Sequence, residues 1–413
     1  MTTMFKYSII AVSVSAVMVM TTGPQARAEV VVQCPGDANG SASWEGGEVQ
    51  PPNTKCMHLG AGDGYITMAD GTYQYIFSFS DLTGMPTKAV NPGDPVTDVM
   101  AEGMLAATFP APIIELDEGD EFYLTLTNVG MAVRPDLFDP HTVHYHGFPQ
   151  ASAIFDGVPE ASISINMGSS LTYYYKNNHP GTYMYHCHVE ATEHMQMGML
   201  GNLYVRPAQD GTTYSYGGRD YTRFAYNDGD GSTGYDVDYP IQIGSFDSAF
   251  HNASETVQPL PFAMMVDNYP MLNGRGYPDT VEPAPLPAPP VEVNPADKVS
   301  QYESSLMTAD PGQRILLRLS NLNVTRFYTL GTMGVSMTVV GKDARLLRGP
   351  DGKNLYYQTN SVTLGGGESI DAIIDVPADA ASGTTYFLYA TNLNYLSNNM
   401  EEFGGMMTEI RVN

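Results

Sequence analysis

The chain has 413 residues, with 45 acidic against 19 basic side chains and a formal net charge of −26 at pH 7. Such an acidic chain argues against nucleic acid and anionic lipid as partners, because both carry negative charge. The length exceeds that of one typical domain and predicts two.

The first 28 residues have the pattern of an export signal. Lys6 supplies a positive charge, residues 9–20 (IIAVSVSAVMVM) are apolar but too short to span a bilayer, and Ala28 ends a small-residue cleavage pattern. We expect cleavage after Ala28 and an exported protein, periplasmic or secreted; a retained membrane anchor is the alternative. No later stretch is apolar enough to span a membrane, so we expect no membrane span in the mature form.

The cysteine count of three is odd. Cys34 and Cys56 lie in an N-terminal segment rich in Gly, Pro and Asn, and they can form a disulfide in an oxidising compartment. Cys187 is then left alone between two histidines, a context typical of a metal ligand. We predict that residues 29–72 are an N-terminal extension held by a Cys34–Cys56 disulfide.

The remaining chain is predicted to be all-β. Short apolar runs, such as EFYLTL at residues 121–126 and LTYYY at 171–175, are bounded by turn residues. This pattern favours β-sandwiches with Greek-key connections. We predict one sandwich at residues 73–207, a polar linker at 208–236 and a second sandwich at 237–413.

A faint internal repeat relates the ends of the two predicted sandwiches. In the first, GTYMYHCH at residues 181–188 is followed by a methionine-rich turn and a strand. In the second, GTTYFLYATN at residues 383–392 is followed by GGMM at 404–407 and a strand. Ala, Thr and Asn replace the two histidines and the cysteine, so we predict that the second sandwich lacks these metal-binding residues.

Two short segments contain most of the nine histidines. The first is PHTVHYHG at residues 140–147, and the second is HCHVEATEHMQMGM at residues 186–199. The candidate metal ligands in these segments are His141, His144, His146, His186, Cys187, His188, His194 and Met199.

Strand geometry sorts these candidates into two groups. Because side chains alternate between the faces of a strand, His144 and His146 share one face and His141 points to the other. By the same rule, the histidines flanking Cys187 share one face and Cys187 points to the opposite one. If the two segments are neighbouring strands, His141 and Cys187 meet on one side and four imidazoles gather on the other.

The side with His141 and Cys187 predicts a copper site. His194 and Met199 follow the strand and supply a second imidazole and a weak thioether. Two histidines, a thiolate and a long axial thioether form the ligand set of blue, type 1 copper. The softness of these ligands and their geometry favour copper over other metals. Such copper cycles between Cu(I) and Cu(II), which suits electron transfer. The imidazole-only side suits copper that holds oxygen species.

The two segments resemble the motifs of the multicopper oxidases, which include the laccases, and more loosely those of copper nitrite reductases. PHTVHYHG has the spacing of the oxidases' His-Pro-x-His-x-His-Gly motif, and HCHVEATEHMQMGM resembles their His-Cys-His-x3-His-x4-Met motif. The resemblance implies two cupredoxin-like domains with type 1 copper on His141, Cys187, His194 and Met199. It further implies type 2 and type 3 copper on His144, His146, His186 and His188.

The chain also departs from the family pattern. The trinuclear cluster that reduces dioxygen in this family uses eight histidines, four from each of two domains, and this chain offers four. The second predicted sandwich contains a single histidine, His251, which lies outside any motif. We therefore expect a homo-oligomer in which a second chain completes the cluster.

The leading functional hypothesis is an oxidase. A small-molecule or protein donor gives single electrons to type 1 copper, and Cys187 with a flanking histidine passes them to copper that reduces dioxygen to water. Asp156 and Glu190 are candidate proton relays, although Asp156 can equally cap a turn.

Two alternatives remain open. A nitrite reductase would hold type 2 copper on His146 and His186 with a further ligand from a neighbouring chain, but His144 replaces the catalytic acid of that family. A non-catalytic blue-copper electron carrier is favoured by the missing half of the histidine set.

Overall fold

The computed structural model describes residues 30–149, 151–256, 259–291 and 298–413, so the predicted export signal lies outside the described residues. Strands make up most of the regular structure, which confirms the predicted all-β class. Among the described residues, helices are all too short or too polar to cross a membrane.

The first sandwich consists of two sheets. Its strands are β1 (Thr54–Thr67), β2 (Tyr73–Asp81), β3 (Ala111–Asp117), β4 (Glu121–Gly130), β5 (His144–His146), β6 (Ser170–Lys176), β7 (Gly181–His186) and β8 (Leu200–Arg206). The connections contain α1 (Val99–Gly103), a 3-10 helix (Ala153–Phe155) and α2 (Ala191–Gln196). One sheet has the order β2-β1-β4-β6 and the other β3-β8-β7-β5. The pairs β1–β4 and β3–β8 are parallel.

Alternating apolar residues form the core between these sheets. Phe122, Leu124 and Leu126 of β4 are buried together with Leu203 and Val205 of β8. Residues two apart on a strand share a face, so each strand contributes one apolar row to the core. Full burial of such a side chain contributes about 1.5–3 kcal/mol.

β1 lies inside the first sheet, whereas the sequence prediction placed this segment in the N-terminal extension. Gly60, Gly62 and Gly64 weaken the sequence signal for a strand. In the structure they permit close packing, since a Cβ atom on Gly62 would lie 2.8 Å from a methyl group of Val129. The opposite face of β1 carries apolar residues such as Leu59 into the core.

The segment before β1 is tied to the first sandwich by the Cys34–Cys56 disulfide, as predicted. Cys56 is part of β1, so the disulfide joins the N-terminal segment directly to the sheet. The remaining cysteine, Cys187, is free and buried.

A hairpin of β9 (Tyr214–Tyr216) and β10 (Arg219–Tyr221) precedes the second sandwich. The following strands are β11 (Val237–Phe246), β12 (Tyr269–Leu272), β13 (Leu286–Pro287), β14 (Val299–Gln301), β15 (Met307–Ala309), β16 (Arg314–Asn321), β17 (Tyr328–Met333), β18 (Met337–Lys342), β19 (Arg345–Leu346), β20 (Tyr357–Thr359), β21 (Ser361–Leu364), β22 (Glu368–Asp375), β23 (Thr385–Ala390) and β24 (Met407–Val412). Helices are α3 (Ser248–Thr256) and 3-10 turns at Phe262–Met264, Asp279–Val281 and Leu393–Tyr395.

The second sandwich again packs two sheets together. One has the order β12-β11-β16-β22-β18-β19, with β20 also on β18, and the other has the order β15-β24-β23-β17-β21. β23 and β24 pair antiparallel, as β7 and β8 do in the first sandwich. These are the strands of the internal repeat, so both copies form the same substructure.

Residues 208–236, predicted as a polar linker, form a folded layer on the second sandwich. Tyr226 and Tyr235 are buried against Leu316 of β16 and Val340 of β18. The aromatic side chains of this segment bury enough surface to pack on a sheet, despite its many polar residues. The predicted linker is therefore an ordered part of the second sandwich.

Candidate metal centre

β5 and β7 are neighbouring antiparallel strands, and their register places the two histidine motifs side by side. His144 pairs directly with His186, and His146 lies on the same face. Cys187 follows His186 and points to the opposite face, where its sulfur approaches His141. The alternation predicted from the sequence is confirmed.

The cysteine group, defined as His141, Cys187 and His194, brings three donor atoms within 4.8 Å of one another. Cys187 Sγ lies 3.8 Å from His141 Nδ1 and 3.2 Å from His194 Nδ1. The three side chains are fully buried. Neither His141 Nε2 nor His194 Nε2 has a hydrogen-bond partner among the described residues. The Nδ1 atoms and the sulfur therefore face a common point that a metal ion could occupy.

Helix α2 follows Cys187 in the chain and carries His194 near its end. The Met199 N–H donates to the His194 carbonyl oxygen at 2.8 Å, and the Cys187 N–H donates to the Met199 carbonyl oxygen at 3.1 Å. Met199 is buried in the same core as Cys187. The backbone thus brings the predicted fourth ligand beside the cysteine, and its axial role stays a prediction.

Burial determines the charge state of the cysteine group in the absence of metal. Burial lowers the pKa of His194 to about 4. It also lowers the pKa of His141 well below its ordinary value, and neighbouring His194 adds a smaller decrease. Burial also raises the pKa of the Cys187 thiol to about 12. The imidazoles are therefore neutral, as ligation requires. The thiolate needs a bound cation, which deprotonates a coordinating thiol.

On the other face lies the imidazole group, defined as His144, His146, His186 and His188. His144 Nδ1 donates to the Asp156 carbonyl oxygen at 2.5 Å, and His186 Nδ1 donates to the Cys187 carbonyl oxygen at 2.8 Å. These bonds leave Nε2 of both rings for a ligand. His146 Nδ1 lies 3.4 Å from His186 Nε2 and faces the same point.

Three members of this group form a compact set. His144, His146 and His186 offer ligand nitrogens within 4.8 Å of one another. The pKa values of these three histidines are all lowered, mainly by burial. The pKa of His186 is lowered to about 3. The ring of His188 is half-buried, with its centroid 5.1 Å from that of His144. The compact set is therefore neutral and available to a metal.

A pocket of about 320 Å³ opens over the imidazole group. From the first sandwich it is lined by the four imidazoles, Ala191 and Met195. From the second sandwich it is lined by Leu322, Asn323, Val324, Gly366 and Gly367. This second wall could not be predicted from the sequence, because its residues form no metal-binding motif and reach the site only through the packing of the two sandwiches.

The predicted proton relays lie in different settings. Asp156 accepts from His144 through its carbonyl oxygen, and its carboxylate Oδ1 lies 3.5 Å from the same nitrogen. Glu190 is exposed and lies outside the described pocket lining. Burial raises the pKa of Glu193 to about 7, and the negative charge of Glu190 makes a smaller contribution in the same direction. Asp156 therefore positions a histidine, and a relay role for either residue stays a prediction.

Two family models, both described as multicopper oxidase, match the chain over residues 90–210 and 249–410. Together they cover more than half of the sequence. The chain belongs to the multicopper oxidase family. Members of this family bind copper, and the imidazole and thiolate donors gathered here are those that select copper.

Relatives of this multicopper oxidase chain match only part of it. A multicopper oxidase of Talaromyces pinophilus is 36% identical over 104 residues, which are 25% of this chain and 16% of the relative. The match thus spans about a sixth of that protein.

Solved structures cover more of the chain. The blue copper oxidase of Nitrosomonas europaea has a TM-score of 0.60 at 21% identity, over 87% of this chain and 86% of that one. A copper nitrite reductase of the same organism has a TM-score of 0.55 at 16% identity, over 87% and 94%. At these identities the likeness concerns the fold, and it confirms two cupredoxin-like sandwiches.

The fit of the two groups to copper is unequal. The cysteine group has the soft, buried donor set of a single copper ion. The imidazole group offers four of the eight histidines that the resemblance implies for a trinuclear cluster, and the described pocket lining adds no further imidazole. The residues present therefore fit copper but do not fit a trinuclear cluster.

Proposed function

We propose that the protein is a copper-dependent oxidoreductase that takes single electrons from a reductant and delivers them to dioxygen. The observation that carries the proposal is the pair of ligand groups on opposite faces of one strand. Cys187 belongs to one group and its neighbour His186 to the other, and His186 Nδ1 contacts the Cys187 carbonyl oxygen at 2.8 Å. A few covalent bonds and one hydrogen bond thus join the two groups.

In this proposal the cysteine group is the electron entry site. His141 Nδ1, His194 Nδ1 and Cys187 Sγ, together with Met199, would hold type 1 copper, which would supply one-electron chemistry. Copper in such a set changes between Cu(I) and Cu(II) with little rearrangement, which suits one-electron transfer. The protein keeps water out, because the three side chains are fully buried. The Thr142 N–H, 3.5 Å from Cys187 Sγ, stabilises negative charge on the sulfur.

The imidazole group is the proposed site of dioxygen reduction. Asp156 fixes His144 in the tautomer that leaves Nε2 for copper, and the Cys187 carbonyl oxygen does the same for His186. The pocket over this group gives a small molecule access to it. Electrons delivered singly through Cys187 and His186 thus reach a face that a small oxidant can approach.

Export and the electron donor also belong to this proposal. The N-terminal pattern supports export to the periplasm or secretion, where a Cys34–Cys56 disulfide is stable. The net charge of −26 suits a basic protein or a cationic small molecule as the electron donor.

Dioxygen uptake by the copper-loaded protein tests the function. We expect uptake with a phenolic, metal-ion or protein reductant, and loss of uptake in Cys187→Ser, which removes the thiolate. Failure of every class of reductant to support uptake would reject the oxidase. Nitrite turnover under the same conditions would identify a reductase, and neither activity would leave an electron carrier.

A further inference from the structure

The imidazole group faces the second sandwich of its own chain. A Cβ atom placed on Gly367 would lie 2.6 Å from His146 Nε2, so the backbone there lies directly against the ring. Next to this contact, Thr182 Oγ1 donates to an Asp371 carboxylate oxygen at 2.6 Å, and Ser369 Oγ donates to the Thr182 carbonyl oxygen at 2.7 Å. These bonds hold the second sandwich over β7.

The wall that closes the pocket supplies no imidazole from the described residues, as it consists of Leu322, Asn323, Val324, Gly366 and Gly367. His251, the histidine of the second sandwich, lies elsewhere. Its ring nitrogens are 2.6 Å from the Tyr75 carbonyl oxygen and 2.9 Å from the Gln196 carbonyl oxygen. The second sandwich therefore faces the imidazole group without adding an imidazole from the described residues.

The nitrogens that are present converge on one point. Because their Nδ1 atoms donate to carbonyl oxygens, His144 and His186 keep Nε2 available for a metal. His146 Nδ1, which lies 3.4 Å from His186 Nε2, is a third available nitrogen. One ring nitrogen from each of these three histidines lies within 4.8 Å of the other two, and His188 is not part of this set in the described chain. Neutral imidazoles are good copper ligands, and three of them suffice for one ion.

We infer that the imidazole group binds a single copper ion within one chain, through His144 Nε2, His146 Nδ1 and His186 Nε2, in place of a share in a trinuclear cluster. The inference rests on the proposed function, because it takes copper as the metal. It gives two copper ions per chain, one in each group. This site does not require the homo-oligomer expected from the sequence, which stays a prediction.

The test counts copper on the full mature chain after loading with copper alone. Native mass spectrometry gives the number of ions per chain together with the oligomeric state. Electron paramagnetic resonance on the same sample separates type 1 copper from imidazole-bound copper. We expect two ions per chain and the two signals in equal amounts. One ion, or three or four ions, per chain would overturn the inference.

Two alanine variants locate the second ion. His146→Ala is expected to lose one ion per chain and the imidazole-bound signal, while an intact type 1 signal shows that the chain is folded. His188→Ala is the matched control from the same group, and we expect it to keep both ions. If His188→Ala lost the ion as fully as His146→Ala did, the three-ligand assignment would be wrong.

The measurement separates this inference from the proposed function. Two ions per chain without dioxygen uptake would support the copper assignment and reject the oxidase. Dioxygen uptake with four ions per chain would support the oxidase and reject the single-ion site.

Discussion

Gly367 of the second sandwich lies against His146 of the first, with the position for a Cβ atom 2.6 Å from His146 Nε2. The φ angle of Gly367 is +90°, a backbone conformation that favours glycine. A side chain at this position would therefore meet both a strained backbone and the imidazole ring. The geometry of the imidazole group thus depends on how the two sandwiches of one chain pack.

Gly367→Ala is expected to lower the copper content of the imidazole group and to keep type 1 copper, because the methyl group would turn His146 away. Copper per chain and paramagnetic resonance check this. Gly211→Ala is the matched control, since Gly211 has a φ of +84° and open space around its Cβ position. It should carry only a backbone cost of about 1 kcal/mol and keep both ions. Equal copper contents in the two variants would contradict the prediction.

Met199→Leu is expected to keep copper in the cysteine group and to raise its reduction potential. The axial ligand tunes the potential of a type 1 site, and loss of the thioether removes a donor that stabilises Cu(II). A redox titration of the blue absorption measures the change. Met195→Leu is the control, because Met195 lines the pocket over the imidazole group and should leave the potential unchanged. The opposite result would assign the axial role to Met195.

Arg318→Met is expected to lower the free energy of unfolding by about 3–5 kcal/mol, because removal of one partner leaves buried carboxylates unpaired. Arg318 is fully buried, with Nε 3.1 Å from Asp238 and Nη1 3.9 Å from Asp371. Lys353→Met breaks an exposed pair with Asp351 and should have a much smaller effect. Urea denaturation of both variants measures the difference, and similar losses would show that the buried network contributes little.

His58 gives the fold a specific acid sensitivity. It is fully buried in β1, with Nε2 2.8 Å from Thr127 Oγ1, and burial lowers its pKa from 6.5 to about 4. Since the pKa is lower in the folded chain, the unfolded chain binds the proton first as the pH falls. Stability from this group is complete above about pH 6.5 and is lost between pH 6.5 and 4.

The size of this loss follows from the shift and is about 3 kcal/mol. His58→Gln removes the titrating group, so the decrease in unfolding free energy from pH 7 to pH 4 should be smaller in the variant by that amount. Denaturant titrations at the two pH values provide the comparison. Identical decreases in both proteins would mean that His58 is protonated in the folded state without cost.

The metal-binding face could be predicted from the sequence because strand alternation is a local rule. His141 and Cys187 on one side, and the paired histidines on the other, follow from period-two geometry once β5 and β7 are neighbours. The wall at Leu322–Val324 and Gly366–Gly367 could not be predicted in this way. These residues reach the pocket through the packing of two sandwiches, which no local pattern encodes.

The course of β1 escaped prediction for a different reason. Gly60, Gly62 and Gly64 are unfavourable for an isolated strand, and their role appears only when neighbours such as Val129 fill the space left by the missing side chains. The aromatic layer at residues 208–236 could likewise not be predicted, because the sequence does not show that Tyr226 and Tyr235 pack on a sheet.

We propose that electrons pass from the cysteine group to the imidazole group and then to dioxygen. The most direct test is the return of the blue absorption when the fully reduced, copper-loaded protein is mixed with dioxygen. We predict rapid return in the wild-type protein and much slower return in His146→Ala, whose type 1 copper is intact. Equal rates in the two proteins, or no return in the wild type, would contradict the claim.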